Sequence, residues 1–103
     1  MNETLNEKLL EEVKSFMKVT WNEEDQDILK SIGRTKAYLQ KLYGSVPLSF
    51  DDENQAKELL LNRCWYEREK SLNDFETNYK GLLVGFIAEG ALKARRVQNE
   101  AVQ

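Results

Sequence analysis

Only one proline, Pro47, interrupts the 103 residues, and five glycines accompany it. Sandwiches and barrels need turn residues at short regular intervals. A chain so poor in them is expected to be all-α: a single small domain of about four helices spanning residues 1–103. The length sits near the commonest domain size and leaves no room for two cores. Hydrophobic residues at 41% supply one core, and charged residues at 32% imply a strongly hydrated exterior.

Periodicity places the helices. Leu5, Leu9, Leu10, Val13, Phe16 and Met17 recur at spacings of three and four, a helical stripe. Thr4 with Glu7 has the form of a capping box, and Thr20 with Glu23 repeats it ahead of a second helix near Trp21. In that helix Ile28, Ile32, Leu39 and Leu42 share a side. Glu23, Glu24, Asp25 and Asp27 crowd its positive end, where negative charge is favoured. Gly44 is placed for a left-handed cap, followed by a loop at Pro47. A third helix is expected to start among Ser49 to Asp52 and run to about Lys70. Leu59, Leu60, Leu61, Cys64, Trp65 and Tyr66 put apolar groups on nearly every side of it, marking it as central. After a break at Ser71 to Asp74, the residues Phe75, Tyr79, Leu82, Leu83, Phe86 and Ile87 define a fourth helix. The tail from about residue 93 is expected to be the least ordered part. The core is assigned to Ile28, Ile32, Leu39, Leu60, Cys64, Phe75 and Tyr79.

The composition is poor in chemistry. There is no histidine and one cysteine, which removes the imidazole base, the usual zinc ligand sets and any internal disulfide. No catalytic, metal or cofactor site is assigned. The two acidic clusters, Glu23 to Asp27 and Asp51 to Glu53, lack the glycine and spacing of a calcium loop and read as helix-start charge. Cys64 has no activating base and reads as a buried thiol. A net charge of −3 and a pI of about 5.1 disfavour a protein whose task is gripping phosphates. The N-terminus has no signal-peptide pattern and the lone cysteine suits a reducing compartment, so synthesis in the cytoplasm is expected.

Two features point outward. Arg63 and Arg68 sit on a helix with little polar surface and need carboxylate or backbone partners, as structural ion pairs or across an interface. Gly81 to Leu92 is the most apolar run, yet too short for a bilayer and interrupted by Glu89. No membrane contact is expected. More apolar perimeter than a small bundle needs points to self-association, the alternative being a helix buried in its own core. The expected interface comprises Leu82, Leu83, Phe86, Ile87, Leu92, Arg95 and Arg96, within a contact region from about Leu82 to Val97.

The segment AKELLLNRCWYEREKSLNDFETNYKGLL, Ala56 to Leu83, resembles the small head-tail connector proteins of tailed bacteriophages, also called head completion, adaptor or DNA packaging proteins. Arg63, Tyr66 and Arg68 followed by Leu72, Phe75 and Glu76 carry most of the likeness. WNEEDQDILKSI and KAYL precede them, so the similarity runs from about Leu9 to Leu83. The glycine-rich continuation departs from the family pattern. The resemblance implies a non-enzymatic subunit of a homo-oligomeric ring in the virion, at the head-tail junction. Its partners there are the portal protein, copies of itself and the next head completion or tail protein. DNA passes through without sequence-specific binding. The isolated chain is then expected to stay monomeric at low concentration, since the portal templates the ring. The rival reading is a small helical DNA-binding or regulatory protein, which the acidic start of the third helix disfavours.

Overall fold

The expected stripe from Leu5 to Met17 folds into α1 (Asn2–Met17), which buries Leu9, Leu10, Val13 and Met17, whereas Phe16 of that stripe is exposed and the Leu5 side chain lies outside the described residues. The computed structural model describes the backbone over residues 2–102 and side chains over 7–99. The expected Thr4–Glu7 capping box has its Thr4 side chain outside that range. Four further helices follow: α2 (Asp25–Tyr43), α3 (Gln55–Arg68), α4 (Leu72–Asn78) and α5 (Lys80–Val102). The described chain is all-helical, with one helix more than the expected four.

Packing explains the order. On α2 the residues Ile28, Ser31, Ile32, Thr35, Leu39 and Tyr43 form one buried stripe. It faces α3, whose apolar groups do spread to several neighbours: α3 packs on α1, α2 and α4, while α5 lies on α2 and α4. The molecule is 19 Å thick between its outermost Cα atoms in its thinnest direction. Packed helix axes stand 8–10 Å apart, so such a slab leaves many helix faces open to solvent.

Helix ends are where local chemistry departs from expectation. α1 stops at Lys18, whose φ is 60°, and α3 stops at Lys70, with φ 58°. At each end a backbone N–H reaches five residues back, Val19 to the Lys14 carbonyl and Ser71 to the Tyr66 carbonyl, both at 2.9 Å. These are left-handed closures that usually employ glycine. Lys70→Gly is therefore expected to raise stability by about 0.5–1 kcal/mol, read as a higher urea midpoint.

The box expected at Thr20 and Glu23 does not form, because α2 starts later, at Asp25. Glu24 occupies the cap position, and its carboxylate serves the tertiary structure. It accepts from Trp21 Nε1 at 2.7 Å and from Arg68 Nε and Nη2 at 3.0 Å each. These hydrogen bonds, the Arg68 one foremost, hold the Glu24 carboxyl below the usual glutamate range. A folded-state pKa below the unfolded one contributes stability above the ordinary range, and that contribution disappears as pH falls through the folded value. Glu24→Gln should flatten the acid limb of a urea-midpoint-against-pH curve; an unchanged acid limb would show that the pair does not bear on folding.

α3 starts three residues after the expected acidic caps. Asn54 is the N-cap, its side chain accepting from Lys57 N at 2.9 Å, and Asp51, Asp52 and Glu53 lie in the preceding loop. Gly44 closes α2 at φ 106° and ψ −145°, positive as expected but extended rather than left-handed helical. Gln40 then orders the loop. Its side chain donates to the Gly44 and Val46 carbonyls at 2.8 and 2.9 Å and accepts from Leu48 N at 2.9 Å.

The expected fourth helix is divided. Leu72 already belongs to α4, and the bend falls at Tyr79, with φ −107° and ψ 11°. Phe75 is fully buried, and Tyr79 stacks on it at 4.9 Å and meets Tyr66 of α3 edge-on at 6.1 Å. α4 is thus held by α3, while α5 must turn to follow α2. The residues from 93 onward, expected to be loosely held, continue α5 as helix to Val102.

Candidate interaction surface on the last helix

α5 meets the body along a narrow seam. Leu83, Phe86 and Gly90, spaced three and four apart, are its buried positions among the described residues. At Gly90 the backbones nearly touch: a Cβ there would lie 1.9 Å from the Tyr43 carbonyl oxygen. The Tyr43 ring packs on Phe86 at 4.8 Å, and its hydroxyl donates to Glu89 at 2.9 Å. Lys93 pairs with Glu89 at 3.4 Å and lies over the Tyr43 ring at 5.6 Å.

That seam uses both charged residues found between Gly81 and Ala94. The outward side of the same stretch has none. Val84, Ile87, Ala88, Ala91 and Leu92 recur there at helical spacing, and Val84, Ile87 and Leu92 are 59%, 42% and 52% exposed. Arg95 and Arg96 follow directly, exposed and without a carboxylate partner among the described residues. An uncharged apolar strip ending in two guanidiniums suits a protein partner better than water.

The seven residues expected at an interface therefore divide. Leu82, Ile87, Leu92, Arg95 and Arg96 are exposed, whereas Leu83 and Phe86 are 7% and 1% exposed and belong to the chain's own core. The correction has a simple cause: periodicity alone does not say which apolar side of a helix a neighbour has already taken. Val84, inside the expected contact region, is exposed as well and joins them.

The core residues expected from sequence are buried, apart from Tyr79 at its edge. Arg63 and Arg68 both find partners within the chain. Arg63 donates to Thr35 Oγ1 at 3.0 Å and lies over the Tyr38 ring at 4.2 Å, while Arg68 grips Glu24. Cys64 is buried against Thr35, and burial pushes its thiol pKa up. A cleft of about 300 Å³ opens above it between α2 and α3. Four of its charged groups pair within the lining: Arg34 Nε donates to Glu67 at 2.8 Å, where Ser31 also donates at 2.9 Å, and Arg68 faces Glu24. Sequence reasoning missed this Glu67 hub, because a carboxylate in a charged helix carries no local sign of its tertiary partners.

Gly81 and Gly85 differ from Gly90, since a Cβ at either would meet open space. Gly85→Ala should raise monomer stability by about 1 kcal/mol through helix propensity. If a partner backbone lies against this face, the same change should weaken association. Thermal denaturation and sedimentation of the one variant read both effects.

No family model matches this sequence, and no curated protein or solved structure matches it either. No helix among the described residues is long and apolar enough to cross a membrane.

Proposed function

We propose that the chain is a structural assembly subunit, a head-tail connector of a tailed bacteriophage. Copies of it bind one another and a portal through the outer face of α5. The exposed strip formed by Val84, Ile87 and Leu92 carries this reading, because no described residue of the chain covers it. The resemblance of Ala56 to Leu83 to connector proteins supplies the setting. An assembled ring below the portal would extend the DNA channel and offer a platform to the next head completion or tail protein. The net charge of −3 is compatible with a conduit through which a duplex slides without sticking. No catalytic step belongs to this function.

The DNA-binding alternative has less to work with. Lys93 is committed to Glu89 and Tyr43, so Arg95 and Arg96 are the cations left on this part of α5. Two phosphate contacts give little affinity at ordinary salt. The test is to mix the purified chain with portal rings encoded in the same genome and image them by electron microscopy. An added annulus at one end of the portal is expected. Portals unchanged by the chain, together with a salt-dependent gel shift on DNA, would overturn the assignment in favour of the alternative.

A further inference from the structure

A second exposed apolar surface lies where α1 and α3 meet. Phe16 of α1 and Leu61 of α3 line one shallow groove with Glu11 and Glu12 at its rim. Trp65 stands one turn beyond Leu61 on α3. Phe16 and Trp65 are 44% and 39% exposed. Glu58, one turn before Leu61, adds a further exposed carboxylate on α3, while Glu69, just past the end of α3, pairs with Arg68 at 3.6 Å.

The two surfaces are complementary. One is a convex helix face that is apolar, uncharged and ends in Arg95 and Arg96. The other is a groove lined by Phe16 and Leu61 with carboxylates beside it, of which Glu11 and, one turn from Leu61, Glu58 have no cationic partner among the described residues. They are also carried by different helices: α1 packs on α2 and α3, and α5 on α2 and α4. A single copy therefore does not bring its own strip into its own groove.

We infer that the groove between α1 and α3 is the acceptor for the outer face of α5 from a second copy of this chain. This rests on the self-association proposed above and adds its geometry. Because donor and acceptor are different patches, the contact is heterologous: each copy uses both, and repetition gives a closed ring or an open filament rather than an isologous dimer. Charge complementarity sets orientation, with the guanidiniums of α5 directed to the Glu11 and Glu58 side, and the buried apolar area supplies the attraction.

The test uses two full-length variants, each spoiled on one patch. Ile87→Asp blocks the donor face, and Phe16→Asp blocks the groove. Both positions are exposed, so circular dichroism should show folded chains. Each alone should lose self-association by at least about tenfold in sedimentation, while a calorimetric titration of one into the other should give a saturable complex with one-to-one stoichiometry. Glu11→Lys is the milder groove variant should Phe16→Asp disturb folding, and it should regain affinity for an Arg95→Glu chain. If Phe16→Asp and Glu11→Lys self-associate like the wild type while Ile87→Asp does not, the groove is not the acceptor, although α5 remains an interface. If Ile87→Asp also associates like the wild type, or if the wild type stays monomeric up to about 1 mM, both this pairing and the self-association beneath it fail.

Discussion

Phe86→Asp is expected to unfold the protein, and Ile87→Asp, one residue along the same helix, to leave it folded but without its partner. Phe86 is 1% exposed and packed against the Tyr43 ring, within the seam that holds α5 to α2. Removing a buried phenyl ring costs about 3–5 kcal/mol. Placing a carboxylate in its stead adds the cost of burying an unpartnered charge. Together these approach the whole stability of a small domain, about 5–15 kcal/mol. Ile87 is 42% exposed, and substitutions at such positions usually stay within about 0.5 kcal/mol. Far-ultraviolet dichroism with a urea titration separates the two variants. A folded Phe86→Asp chain would mean that α5 is not docked as described.

Gly90→Ala should produce the next largest loss. In most helices alanine improves on glycine by about 1 kcal/mol. Here the added methyl would lie 1.9 Å from a backbone oxygen, which has no rotamer to move into. α5 would have to lift from the end of α2, loosening the Tyr43–Phe86 packing, the Tyr43–Glu89 hydrogen bond and the Lys93 contact together. Overpacking of this kind costs about 3 kcal/mol. That corresponds to a fall in Tm of roughly 10–20 °C for a domain of this size. Gly85→Ala, in the same helix but facing open space, should move Tm upward. A shared sign for both substitutions would refute the close crossing at Gly90.

Much of this architecture was legible because burial follows helical spacing. The stripes of α1 and α2, the many-sided α3 and most of the expected core came directly from periodicity. The positions that misled were those where tertiary structure overrides local pattern. Thr20 and Glu23 have the form of a cap, yet Glu24 is drawn to Arg68, forty-four residues away, and the helix begins later. Lys18 and Lys70 end helices in a conformation usually marked by glycine, so no residue type signalled them. The bend at Tyr79 is set by the ring packing of Tyr66, Phe75 and Tyr79, which spacing along one helix does not reveal. The interface residues show the same limit. The run from Gly81 to Leu92 announces surplus apolar surface, but only the position of Tyr43 shows that Leu83 and Phe86 point inward and Val84, Ile87 and Leu92 outward.

Gly90 and Gly85 also separate two uses of one residue type. The first is required by a neighbour in the same chain, and the second has none among the described residues. A glycine retained in open helix costs stability without an intrachain return, which fits a helix whose outer side meets another backbone in the assembled state.

Sedimentation equilibrium of the wild type beside Ile87→Asp, from low micromolar to about 1 mM, tests most directly whether the outer face of α5 is an interface. The wild type should pass from monomer to larger species as concentration rises, and the folded variant should remain monomeric throughout. Two chains that sediment identically at every concentration would contradict it.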